Sequence, residues 1–221
     1  MKKNQKIYFF ADDHYQAHPG RILREHLTFP GEACFYENDL SALSRPEALD
    51  DCGLLILNLI ADTCGNPLPD AQAEAAVRRY CERGGNLLLL HGSGAAFWPW
   101  AWWRQLVGLR WVRTNDPDGV PASTHPTRPY RVTVTKSRHP LCARLQPMDL
   151  PADEIYINLE QTGPVWTLME THTDEGTFPQ VYETATPWHG RLIGFIPGHA
   201  AAVTTHPAVL ANLNVIIQDL T

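Results

Sequence analysis

The 221-residue chain sets 18 Lys and Arg against 24 Asp and Glu, for a formal net charge of −6, and has no basic block beyond its opening residues. That argues against nucleic acid as a main partner, because phosphate contacts need a basic face. Apolar residues make up 44% of the chain and charged ones 19%, which suits one domain with a sizeable core, and no apolar run approaches a membrane span.

The first apolar run, Lys6 to Ala11, reads as a strand that Asp12 and Asp13 close. It is too short to make a signal peptide of Lys2, Lys3 and Lys6, so a cytoplasmic protein is expected. Pro19 to Phe29 has helical spacing, with Ile22, Leu23, His26 and Leu27 on one stripe, and Ala33 to Tyr36 reads as a short strand. Leu54 to Leu59 is apolar on both faces, the pattern of a central parallel strand. A helix follows from Pro69 to the stop at Gly84-Gly85, and Leu87 to Leu90 is another buried strand. Trp98 and Trp102 then follow helical spacing, with Pro99 in the first turn. This alternation predicts a parallel sheet covered on both faces.

The second half reads differently. Thr114 to Arg128 is a long irregular loop; Tyr130 to Thr135, Glu154 to Leu159 and Val165 to Met169 alternate with period two and predict strands. Arg191 to Ile196 predicts one more strand before a closing helix that carries Val209, Leu213, Ile216, Ile217 and Leu220. One domain, 1–221, is expected. The five cysteines, Cys34, Cys52, Cys64, Cys81 and Cys142, lack CxxC spacing, so neither a disulfide framework nor a thiolate zinc site is implied.

Ligands of open parallel sheets bind beyond the carboxyl ends of the strands. There the chain delivers Asp12, Asp13, His14 and His18, then Asn58, then His91 with Gly92-Ser93-Gly94, and finally Gly198-His199. For His14 and His18 a solvated polar loop is the preferred reading, whereas His91 and His199 divide evenly between structural and catalytic roles. Asp153-Glu154 leads a predicted strand, and a carboxylate there orients an imidazole or simply faces water. Ser93 lacks the G-x-S-x-G pattern of a nucleophile elbow, although the amides of its turn suit an anionic or hydroxyl group. Trp98 offers a stacking face for a sugar, but core or interface burial is the stronger reading of Phe97, Trp98, Trp100, Trp102, Trp103 and Trp111 together.

The order of these motifs resembles the ThuA-like (trehalose-utilisation) family, which has a class I glutamine amidotransferase-like fold. The matching pieces are Ala17-His-Pro-Gly20, Leu55-Ile-Leu-Asn58, Tyr80-Cys-Glu-Arg-Gly-Gly-Asn-Leu-Leu-Leu-Leu-His-Gly92, His139-Pro140, Asp153-Glu-Ile-Tyr156 and Gly190-Arg-Leu-Ile-Gly-Phe-Ile-Pro-Gly-His199. The resemblance implies a flavodoxin-like three-layer sandwich with a mostly parallel central sheet, helices on both faces and extra strands in the second half. It also implies a pocket where His18, His91 and His199 gather, with Glu154 or Tyr156 on the rim and His125 reaching in from the long loop. Amidotransferases carry a nucleophilic cysteine in the turn that here holds His91 and Gly92, so glutaminase activity is not expected.

Two function classes follow. One is an enzyme acting on a sugar or oxidised sugar derivative, with His91 and His199 as acid and base, Glu154 orienting one of them, and Asn58, Gly92, Ser93, Trp98, His125 and Tyr156 binding substrate. Its histidines, His18, His91 and His199, could instead hold a divalent metal such as zinc. The other is a non-catalytic small-molecule-binding or regulatory module that kept the pocket after losing amidotransferase chemistry. A homo-oligomer built on the tryptophan surface is a weaker third expectation.

Overall fold

The computed structural model describes residues 6–221; residues 1–5, Lys2 and Lys3 among them, lie outside the description. In chain order the elements are β1 (Lys6–Ala11), α1 (Pro19–His26), β2 (Ala33–Glu37), β3 (Cys52–Asn58), α2 (Ala71–Glu82), β4 (Asn86–Leu90), α3 (Ala101–Leu106) and the short β5 (Leu109–Arg110). Then come β6 (Thr127–Val134), β7 (Met148–Glu154), the short β8 (Glu160–Gln161), β9 (Trp166–Thr173), β10 (Gly176–Ala185), β11 (Arg191–Phe195), α4 (Ala201–Thr204) and α5 (Pro207–Leu220).

Nine strands form one mixed sheet in the order β2-β1-β3-β4-β11-β10-β9-β6-β7. The pairings from β2 to β11 are parallel and those from β11 to β7 antiparallel, so half of the sheet, rather than a minor part, departs from the expected parallel arrangement. Alternate residues of the central strands feed two separate cores, which is why these strands read as unbroken apolar runs. Phe9, Leu54, Ile56, Leu88 and Leu90 pack with Leu23 of α1 and Val209, Leu213 and Ile216 of α5. Phe10, Leu55, Leu57, Leu87 and Leu89 pack with Val77 and Tyr80 of α2 and Trp103 of α3.

Three local differences from the sequence reading have physical causes. α2 starts at Ala71 because the Asp70 side chain accepts a hydrogen bond from the Ala73 N–H, at 2.8 Å, and so caps the helix. The predicted tryptophan helix shrinks to α3. His91–Ala95 forms a 3-10 turn, Pro99 brings no N–H, and Trp100 is extended (φ −81°, ψ 112°) before the helix begins. Glu154 ends a strand instead of starting one, since β7 runs from Met148 as an edge strand, where Pro151 leaves no ladder bond unmade. Beyond it only Ile157 makes a bridge, to Thr124. Among the described residues no helix is long and apolar enough to cross a membrane.

Candidate functional site

β1, β3, β4 and β11 are neighbours in the parallel half, so their carboxyl ends open on one edge of the sheet. His91 leaves β4 with φ 51°, a left-handed conformation that costs a side-chain-bearing residue about 1–2 kcal/mol. Its Nδ1 lies 3.0 Å from the Ile196 carbonyl, which can only accept, so Nδ1 carries the proton. The remaining lone pair, on Nε2, accepts from the Tyr156 hydroxyl at 2.8 Å.

His14 leaves β1 in a stranger way. His14, Tyr15 and Gln16 are all left-handed, with φ of 43°, 54° and 72°. Hydrogen bonds hold this turn in place: Asp12 accepts from the His14 N–H at 2.9 Å and from the Ile60 N–H at 3.0 Å, and Asp13 accepts from the His18 N–H at 2.8 Å. The His14 ring is thereby brought to His199, with His14 Nε2 2.9 Å from His199 Nδ1. His199 follows β11, and Asp153 at the end of β7 holds its loop by accepting from the Gly198 N–H at 2.9 Å and the Ala200 N–H at 2.8 Å.

Glu154 lies across the group. Its Oε1 is 3.3 Å from His199 Nδ1 and 3.0 Å from His125 Nδ1, and its Oε2 is 3.4 Å from His91 Nε2. Burial and the neighbouring His91 and His199 lower the His14 imidazole to about 4, and burial lowers His199 as well. Both rings are neutral at pH 7. Burial works against the charge on Glu154, but its contact with His91 and the nearby His199 and His125 hold the carboxyl below its usual range. Asp12 is pushed up to about 6 by burial, against the backbone N–H groups it accepts from. Burial and Glu154 keep the Tyr156 phenol protonated.

Of the residues singled out in the sequence, the structure brings together His91, His199, Glu154, His125 and Tyr156. His18 does not join them: its Nδ1 pairs with Glu37 at 3.2 Å, and His14, from the same loop, takes the place expected of it. Ser93 is fully buried and accepts the Leu59 N–H at 2.9 Å, so it ties the turn to the end of β3 rather than facing a ligand. Gly92 is a close approach: a Cβ there would stand 2.7 Å from Ile60 Cδ1 and 3.3 Å from the Tyr156 hydroxyl. Asn58 is buried and lines a crevice with Asp12, His14 and His91. Trp98 donates to the Ala61 carbonyl at 3.1 Å beneath the Arg113 guanidinium, whereas Trp111 is the tryptophan packed on Tyr156 (4.3 Å between centroids) and His125 (5.4 Å). Phe97, Trp100 and Trp103 are core.

Sequence reasoning named Asp12, His14 and Trp111 but left them out of the site. Position directly at a strand end was the signal for the first two. The crevices beside His91 measure only about 10 Å³, room for a water and not for a sugar ring. Cys64 places its Sγ within 4.8 Å of Asp12 and His14 donor atoms, but burial raises its thiol, which leaves it a poor nucleophile.

A mixed α/β sheet with histidines gathered beyond the carboxyl ends of β1, β4 and β11 defines the class of protein. The chain belongs to the ThuA (trehalose utilisation) family, whose sequence profile matches residues 13–216. It is similar in fold to a ThuA-like protein from Parabacteroides merdae, with a TM-score of 0.75 and 16% identity over 97% of this chain and 88% of that one. A ThuA-like protein from Bacteroides uniformis gives a TM-score of 0.72 and 17% identity over 98% and 91%. A cytoplasmic protein from Salmonella typhimurium gives 0.64 and 10% over 97% and 98%. No curated protein matches the sequence.

Proposed function

We propose that this chain is an enzyme acting on a sugar or an oxidised sugar derivative, with Glu154 and the imidazoles of His91 and His199 moving protons. The observation that carries this reading is the Glu154 carboxylate, which stands within 3.0–3.4 Å of three imidazoles beside a protonated phenol. An anionic carboxylate beside the neutral His199 imidazole supplies both a base and a proton carrier near neutral pH. The family's description, trehalose utilisation, supports the substrate class. Trp111 and Tyr156 supply aromatic faces against which the apolar face of a sugar can pack.

The two apolar cores favour a three-layer reading of the scaffold, with helices on both sides of the sheet. The five free thiols suit a reducing compartment, and we place the protein in the cytoplasm.

The test is a panel of neutral and acidic sugars and their keto derivatives, assayed for turnover and for binding. Turnover by the wild type that is lost in Glu154→Gln and His199→Ala, with the fold intact, supports the enzyme. Saturable binding without turnover of any panel member would favour the non-catalytic module instead.

A further inference from the structure

We infer that His14, His91 and His199 form a binding site for one divalent transition-metal ion of the zinc class. The inference goes beyond the sugar reading and does not depend on it. One donor atom from each ring lies within 4.8 Å of the other two, and the three histidines come from separate strand ends that the sheet itself brings together.

The proton positions identify the donor atoms. His91 donates its Nδ1–H to the Ile196 carbonyl, which leaves Nε2 as its unprotonated nitrogen, the one that accepts from Tyr156. This is the arrangement in which a backbone acceptor fixes the tautomer and orientation of a metal-binding imidazole. His14 Nδ1 faces the Asp12 carboxylate at 3.9 Å, so the favourable tautomer puts the proton there and leaves Nε2 free. His14 Nε2 and His199 Nδ1 then share a single proton across 2.9 Å. If that proton moves to His199 Nε2, three lone pairs converge: His14 Nε2, His91 Nε2 and His199 Nδ1. The proton stays on the His199 ring, so the shift is one of tautomer and not of charge. Two imidazole nitrogens on one zinc, each about 2.0–2.1 Å from it, sit about 3.3 Å apart, so the observed pair needs only a slight opening.

The backbone argues the same way. Two of the three histidines, His14 and His91, stand at positive φ, and neither position is a glycine. Strain of this kind persists where the surroundings over-determine a functional geometry. Three imidazoles leave a coordination position open, the pattern of a catalytic rather than a structural site. Glu154 lies beside that position in hydrogen-bonding range of two of the ligands. Imidazole donors suit zinc, nickel, iron or copper and not magnesium or calcium. The Tyr156 hydroxyl now occupies the His91 Nε2 lone pair, so an ion bound there displaces it and frees the phenol to donate elsewhere.

The test uses the full chain without a histidine tag, stripped by chelator and titrated with Co²⁺. Visible d–d absorption reports tetrahedral nitrogen coordination, and Zn²⁺ competition reports affinity. One equivalent is expected to bind to the wild type and to His18→Ala, and none to His14→Ala or His199→Ala. A wild type that binds no Co²⁺, a His14→Ala that binds like wild type, or a His18→Ala that loses binding overturns the assignment. If the ligand variants do not fold by circular dichroism, the wild type decides alone. Zn²⁺ must then protect His14, His91 and His199, and not His18, from diethyl pyrocarbonate, as read by peptide mass. Protection of a different set, or of none, is equally fatal to it.

Discussion

Asp153 touches none of the three lone pairs, yet it sets the position of His199. Its carboxylate accepts from the Gly198 N–H at 2.9 Å and the Ala200 N–H at 2.8 Å, and it is 1% exposed. Asp153→Ala removes both bonds, together with a longer one from the His199 N–H at 3.4 Å, and leaves these N–H groups in an enclosed loop. Hydrogen bonds to a carboxylate contribute about 1.5–3 kcal/mol each, so a full loss of about 3–5 kcal/mol is expected, less whatever water recovers. Asp153→Asn keeps one acceptor and turns an NH₂ toward the other N–H, so its expected cost is smaller, about 2 kcal/mol. Urea unfolding measures the total, and amide exchange at Gly198, His199 and Ala200 locates it. Exchange should accelerate there first, with β1, β3 and β4 still protected. Equal stability in wild type and Asp153→Ala, or unchanged exchange at those three amides, would refute the argument that this carboxylate positions the loop.

Two further expectations concern residues that the sequence made attractive for other reasons. Ser93→Ala should cost about 1–3 kcal/mol by orphaning the buried Leu59 N–H, while leaving ligand and metal binding unchanged; chemical denaturation and a Co²⁺ titration of the same variant separate the two. Cys52 and Cys81, whose thiols burial pushes up to about 12, should resist a maleimide in the native protein near neutral pH and react on unfolding, as peptide mapping after labelling would show.

The parallel strands were legible because each is apolar on both faces, which only burial between two cores explains, as Leu54 to Leu57 illustrate. The antiparallel half was less so. Pro151 and Pro179 disguised β7 and β10; the first is tolerated on an edge, the second beside a register shift against β9. Glu154 was found for the wrong local reason: it reaches the site as the last residue of an antiparallel strand. Between His14 and His18 the sequence offered only nearness to the end of β1, which favours His14. The left-handed turn that decides it contains no glycine and is held through Asp12 and Asp13 by Ile60 and Asn38, which come from other elements. The choice between Trp98 and Trp111 likewise rests on how the long loop returns to Tyr156, a contact with no local signature.

The turn at His91 allows the strain and the ring to be tested separately. Its φ of 51° suits glycine and penalises any residue with a Cβ. Alanine there bears a left-handed cost of about 1–2 kcal/mol. Glycine escapes that cost but loses about 0.4–1 kcal/mol through the greater freedom of its unfolded chain. Both substitutions delete the same ring, with its bonds to Ile196 and Tyr156, so the ring cancels in the comparison. His91→Gly should therefore be more stable than His91→Ala by about 1 kcal/mol in urea unfolding, although neither holds the ion. The ordinary ranking at an unstrained position is the reverse. If alanine proves the more stable of the two, the backbone at His91 is not left-handed, and the case for a residue held in strain to aim its imidazole at His14 and His199 loses one of its supports. If glycine wins, histidine stands at a position whose backbone glycine fits better, and the contacts of its ring with Ile196, Tyr156 and the site are what offset that strain.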